Sequence, residues 1–237
     1  ARLACELLLV YFLFPSSVTR ARKIGLIREV AKWKDLDIDE NADAFAGFEF
    51  GIGDPGLAYN TGRPNELTYL ARVALAVAAL PEAERSATLA DHVRLREILD
   101  NLSEGHREEF GRPPQLRHII LNLLFPDHYE RIASEGHKSR IREAFSEVLD
   151  ANGPEDTDDY LKAVRVRLES FLPDKKLDFY REPLRACWYT DREGETISSL
   201  QALNIKKQIV LYGPPGTSKT YQSRQLANGL IRQHLLK

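Results

Sequence analysis

Hydrophobic positions along this chain recur mostly at helical spacing, and the places where that spacing fails mark its organisation. Leu3 to Phe14 is apolar almost all round, interrupted by Glu6. It has no basic leader or small-residue cleavage site and is too short to span a bilayer, so it predicts a buried core helix rather than a targeting segment. Ser17 to Lys34 predicts an amphipathic helix with Ile24, Ile27, Val30 and Ala31 turned inward. From Asp35 to Pro64 the periodicity stops. An acidic run is followed by Gly47-Phe48-Glu49-Phe50-Gly51-Ile52-Gly53-Asp54-Pro55-Gly56, which predicts a loop or a short hairpin. Its aromatics, with Tyr59, would anchor it to a helical core. The other role open to Phe48, Phe50, Tyr59 and Asn60 is stacking on a base or gripping a partner.

Helical spacing then returns. Pro64 opens a helix carrying Leu67, Leu70, Val73, Val77 and Leu80, and Leu95, Ile98, Leu99 and Leu102 mark the next. Leu116, Ile119, Ile120, Leu123 and Leu124 form a stripe that stops at Pro126. Ile141, Ala144, Phe145, Val148 and Leu149 repeat it, ending near Gly153. Thr157-Asp158-Asp159 predicts the cap of a last helix, with Leu161, Val164, Leu168 and Phe171 inward and Pro173 closing it. The expectation is therefore a mainly α chain: a helical domain over 1–175, a linker over 176–199, and a different kind of unit over 200–237. In that last stretch Gln208 to Tyr212 reads as a short buried strand, and Tyr221 to Leu236 as a helix with Leu226, Leu230 and Ile231 on one face.

Composition fits a soluble globular protein, 43% hydrophobic and 29% charged, with length for one large domain or two. Two cysteines without a partner motif, Cys5 and Cys187, point to a reducing cytoplasm. None of the six histidines has metal-ligand spacing, and His118 inside an apolar stripe reads as a core residue. Charge is uneven. Residues 196–237 hold six Lys and Arg and no acid, so the rest carries −8 within a total of −2. Such a cationic terminal stretch suits a polyphosphate. The predicted helix over 17–34 shows a second basic stripe: Arg20, Arg22, Lys23, Arg28, Lys32 and Lys34 against Glu29. Arg20, Arg22, Lys23, Arg28 and Lys32 are candidate contacts to a DNA backbone; the other reading is a solvated helix face.

The most specific chemistry lies between the predicted strand and the last helix: Gly213, Pro214, Pro215, Gly216, Thr217, Ser218, Lys219 and Thr220. A loop that wraps a β-phosphate must turn its N–H groups inward, which Gly213 and Gly216 permit. Lys219 offers a point charge to the β- and γ-phosphates, the Thr220 hydroxyl a ligand to Mg²⁺, and the helix beginning there its N-terminal dipole. Tyr221 follows directly and joins the nucleotide-binding set. Strand, glycine loop and helix is the context this motif requires. Ser218 stands where the motif carries glycine, so the loop tolerates its geometry less well. The plain alternative is a Gly/Pro-rich turn that binds nothing.

The run from Lys206 through Gly213-Pro-Pro-Gly-Thr-Ser-Lys-Thr-Tyr221 resembles the start of an AAA+ ATPase module, where Gly-Pro-Pro-Gly-Thr-Gly-Lys-Thr is common. Within that superfamily it is most similar to McrB-like proteins, the NTP-hydrolysing subunits of modification-dependent restriction systems. Weaker echoes lie in Leu123-Leu-Phe-Pro-Asp-His-Tyr-Glu, in Glu135-Gly-His-Lys-Ser-Arg-Ile and in the stretch from Leu177 to Trp188. The resemblance implies binding of ATP or GTP with Mg²⁺, a hexameric full-length protein, a helical domain that meets DNA or a partner, and a separate nuclease subunit. Pro126-Asp127 and Pro173-Asp174 lack the acidic-x-Lys that a nuclease of this chain's own would need. A complete module needs a Walker B strand, sensors, an arginine finger and a lid, which seventeen residues after Thr220 cannot hold, so the reading expects a longer protein and an inactive fragment. Two rivals stand beside it: a MoxR-like or other remodelling ATPase whose helical domain binds protein, and a non-enzymatic helical scaffold with a degenerate phosphate loop.

Overall fold

The computed structural model of the chain describes residues 1–149, 153–171, 176–182, 184–189 and 219–235. Among these the chain is mainly helical, with no β-strand and one isolated parallel bridge between Pro15 and Gly53. No helix among them is long and apolar enough to cross a membrane. Two compact units emerge, Ala1–His137 and Lys138–Lys237. The strand and glycine loop expected over 208–218, the start of the module at 200 and most of the expected linker beyond 189 lie outside the described residues.

The first unit is built on α1 (Arg2–Leu13), whose Leu8, Tyr11 and Phe12 are buried, as its apolar sequence requires. α2 (Arg20–Ala31) packs against it through Ile24, Ile27 and Ala31. The Thr19 hydroxyl accepts the Arg22 N–H at 3.4 Å, so the helix starts three residues later than Ser17. It ends in a 3₁₀ turn, Lys32–Lys34. The stretch from Asp35 to Pro64 is neither a plain loop nor a hairpin. It contains a 3₁₀ segment, Asp43–Phe48, and a short α3 (Leu57–Thr61), because Phe45, Phe48 and Tyr59 find places in the core. Tyr11 and Tyr59 stack with ring centroids 4.4 Å apart and planes 4° from parallel. Each hydroxyl donates to the other residue's carbonyl, at 2.9 and 3.0 Å. Phe50, by contrast, is 82% exposed.

α4 (Arg63–Ala78) and α6 (His92–Phe110) carry the predicted stripes, with Leu70, Val73, Leu95 and Leu99 buried. Between them lies α5 (Glu82–Ala90), which apolar spacing does not announce. Pro81 precedes it, Glu82 and Glu84 favour its first turn, and Arg85 donates to the carbonyls of Val77 and Ala78 at the end of α4 and of Leu80 just beyond it. Asp91 caps α6 by accepting the N–H groups of Val93 and Arg94. Gly111 closes it in the left-handed region at φ 73°. α7 (Leu116–Leu124) fills the centre with Leu116, Ile119, Ile120 and Leu121 and stops before Pro126.

The helix expected to reach Gly153 is shorter: α8 (Glu135–Ala144), which belongs to the second unit from Lys138 on, gives way to turns that bury Phe145. α9 (Thr157–Phe171) buries Leu161, Val164 and Leu168 as predicted, whereas Phe171, at its end, is 53% exposed. Its cap differs. Asp156, not Thr157, accepts the Asp159 N–H at 3.0 Å, while Asp158 turns inward to form a buried ion pair with Lys138 of α8. Residues 176–182 and 184–189, including the single-turn α10 (Arg185–Trp188), form a packed corner. Trp188 donates to the Phe179 carbonyl at 2.6 Å, and Phe179 meets Phe145 edge to face. The final helix, α11 (Lys219–Leu235), contacts α10.

Candidate functional site

Of the residues expected to hold a nucleotide, Gly213 to Ser218 lie outside the described residues, and Lys219, Thr220 and Tyr221 form the first turn of α11. That turn contains no acid, so the positive end of the helix is not offset by its own side chains. Thr220 is exposed and its carbonyl accepts the Ser223 hydroxyl at 2.9 Å. Tyr221 is 53% exposed, and its hydroxyl accepts the Gln225 side-chain amide at 2.7 Å.

One face of α11 forms a cleft of about 540 Å³ with the segment around α10. Tyr221, Arg224 and Asn228 line it from the helix, and Glu182, Arg185 and Tyr189 from the other side. The Arg185 guanidinium lies 5.0 Å from the centre of the Tyr189 ring, and Asn228 donates to Glu182 at 3.3 Å. Two tyrosine faces, two guanidiniums and a tethered carboxylate offer stacking, anion contact and a hydrogen-bond acceptor in one place. Sequence reasoning took this side as a linker. The signal it passed over is the density of aromatic and arginine residues between Phe179 and Tyr189.

The five candidate DNA contacts of α2 and its terminal turn do not form one solvent-facing stripe. Lys23 is fully buried, with Nζ 3.3 Å from the Phe48 carbonyl and over the Phe48 ring, and burial pushes its ammonium below the ordinary lysine value. This corrects its placement on the outer face: the carbonyl and ring of the 3₁₀ segment take up a side chain that periodicity assigned to solvent. Arg20 donates to the Glu40 carbonyl at 2.6 Å and Arg28 pairs with the Glu40 carboxylate. Arg22 and Lys32 remain exposed. The unit around them, residues 1–137, carries 16 Lys and Arg against 21 Asp and Glu, a formal charge of −5.

His118 is 5% exposed, as expected of a core residue, and its Nε2 lies 2.8 Å from a Glu135 carboxylate oxygen. Beside it Glu66, 2% exposed, accepts the N–H groups of Gln115 at 3.2 Å and Leu116 at 2.9 Å. Burial raises the Glu66 carboxyl above its ordinary value, and these two bonds and the Arg112 charge oppose the rise. No protein-family model, curated protein or solved structure matches the chain.

Proposed function

We propose that this chain belongs to an AAA+ NTPase of the McrB-like kind, which couples ATP or GTP hydrolysis to recognition or translocation of DNA. The carrying observation is the octapeptide Gly213 to Thr220 running directly into α11, whose first turn holds Lys219 and Thr220 and no acid. In this reading the helix end and the Lys219 ammonium bind the phosphates, and the Thr220 hydroxyl holds Mg²⁺. An ion held there would supply positive charge against the phosphate oxygens. The other parts of such an assembly, a hexamer and a separate nuclease subunit, follow from the resemblance alone.

Fluorescent ATP and GTP analogues titrated with Mg²⁺ test the reading. Saturable binding is expected, with Lys219→Ala weakening it by about tenfold or more and Thr220→Ala removing most of its Mg²⁺ dependence. A folded chain that binds neither analogue, or a Lys219→Ala variant that binds unchanged, refutes it.

A second reading, a MoxR-like or other remodelling ATPase whose helical unit binds protein, draws support from the −5 charge of residues 1–137. Affinity for duplex DNA that falls steeply with salt, and falls further in Arg22→Glu and Lys32→Glu, supports the first reading; no salt-dependent binding supports the second.

A further inference from the structure

The cleft between α11 and the corner around α10 plays no part in the reading above, and both of its walls are anchored. Leu226 of α11 is buried, as are Leu184 and Trp188 of the corner, and Trp188 is fixed by its hydrogen bond to the Phe179 carbonyl at 2.6 Å. On α11 the cleft takes positions 221, 224 and 228, spaced three and four apart, so these side chains share one face of the helix. Asn228 ties that face to the corner through Glu182 at 3.3 Å, and Gln225 steadies Tyr221 by donating to its hydroxyl at 2.7 Å.

Charge distinguishes this cleft. Arg185 and Arg224 both line it and both are exposed. Among the described residues neither pairs with a carboxylate; the Arg185 guanidinium lies instead over the Tyr189 ring, 5.0 Å from its centre. Among the described residues of the lining Glu182 is the one acid, so two guanidiniums stand against one carboxylate and the cleft favours an anion. Guanidiniums hold phosphate through paired N–H donors and also stack on flat rings, as tyrosine rings do. A planar ring that carries a phosphate uses both properties at once. The volume of about 540 Å³ suits such a ligand, since sites for small organic molecules span about 300–1,000 Å³. A subsite for the base of a triphosphate held at Lys219 would need flat faces and hydrogen bonds only. Two guanidiniums give this cleft a phosphate contact of its own.

We propose that the cleft binds a nucleoside monophosphate unit, its base against the tyrosine rings and its phosphate on Arg185 and Arg224. The unit has two sources, a free mononucleotide and one residue of a single-stranded nucleic acid. This is a second site, separate from the phosphates and Mg²⁺ assigned to Lys219 and Thr220, and it stands whether or not that assignment holds.

The test follows the side-chain amides of Gln225 and Asn228, both in the lining, by NMR of the full chain titrated with AMP in EDTA, so that Mg²⁺ contributes nothing. Adenosine offers the ring without the phosphate, and ribose 5-phosphate the phosphate without the ring. Saturable shifts are expected for AMP, with affinity about tenfold above either control and lowered about three- to tenfold in Arg185→Gln and in Arg224→Gln. Both arginines are exposed, so these variants should keep the thermal melt of the parent. Lys219→Ala should leave AMP affinity unchanged, which separates failure of this site from failure of the triphosphate site. Comparison of dAMP with a deoxyadenosine tetranucleotide tells the sources apart. Tighter, salt-sensitive binding of the tetranucleotide identifies a single strand, and binding no tighter than that of dAMP identifies a free mononucleotide. No saturable shift of the Gln225 and Asn228 amides, adenosine or ribose 5-phosphate binding as tightly as AMP, unchanged affinity in both arginine variants, or weakened AMP binding in Lys219→Ala overturns the proposal.

Discussion

The ion pair between Lys138 and Asp158 should be the most sensitive polar contact of the second unit. Their side chains are 2% and 4% exposed, so both charges have left water, and each offsets part of the other's burial. Asp158→Asn removes one charge and leaves an ammonium enclosed, which costs about 3–5 kcal/mol. Lys138→Met leaves the carboxylate enclosed, with a loss of similar size. Replacing both, as Lys138→Met with Asp158→Leu, removes the uncompensated charge together with the pair. That double variant should lie close to the parent or about 1–4 kcal/mol above it. An exposed pair such as Arg2 with Glu6, at 86% and 58% exposure, should lose only about 0.2–0.5 kcal/mol when broken. Urea unfolding followed by the fluorescence of Trp188 reads the outcome, because this ring is buried against Phe179 within the same unit. With a slope of about 1–3 kcal/mol per molar, the single variants should move the midpoint by about 1 M or more. If Asp158→Asn costs less than about 1 kcal/mol, or if the losses of the single variants add in the double, the pair is not the buried, mutually dependent contact described here.

Two further outcomes follow from the first unit. His106, 1% exposed between Tyr69 and Phe110, is held below the ordinary histidine value mainly by burial, aided by Arg72 and opposed by Glu109. The unfolded chain takes up this proton near pH 6.5 and the folded one only lower, so stability is full above about 6.5 and lost as pH falls through that range. Urea midpoints should therefore drop between pH 7 and 5, and His106→Phe should flatten the drop; an unchanged slope in that variant excludes His106 as its source. Gly51→Ala should cost more than Gly111→Ala, about 2–3 against about 1 kcal/mol, although both sit at positive φ, 63° and 73°. A Cβ on Gly51 would meet the Pro15 carbonyl at 2.6 Å, whereas one on Gly111 meets open space. Equal losses in thermal melts would remove the steric part of this argument.

The helical stripes were legible because burial repeats every three or four residues, and Leu70, Leu99, Ile119 and Leu161 lie inward where that spacing puts them. What spacing missed depends on partners distant in sequence. Glu66 reads as a surface acid until the first turn of α7, 50 residues on, supplies its donors. Lys23 reads as part of a basic stripe until the Phe48 carbonyl and ring enclose it. α5 carries one buried residue, Thr88, so it left no apolar stripe, and only Pro81 and the two following acids signalled its start. At the candidate site the octapeptide was readable from residue types alone. The cleft beside α11 was not, because Arg185 and Tyr189 reach it through a corner with no period of its own.

The stacked tyrosines of the first unit carry a consequence for how its sequence can drift. Each phenol donates to the main chain of the other, so replacing either one leaves a carbonyl on the opposite segment without its donor, and replacing both leaves two. Positions 11 and 59 are therefore each constrained to keep a phenol, because a change at one cannot be offset by a change at the other.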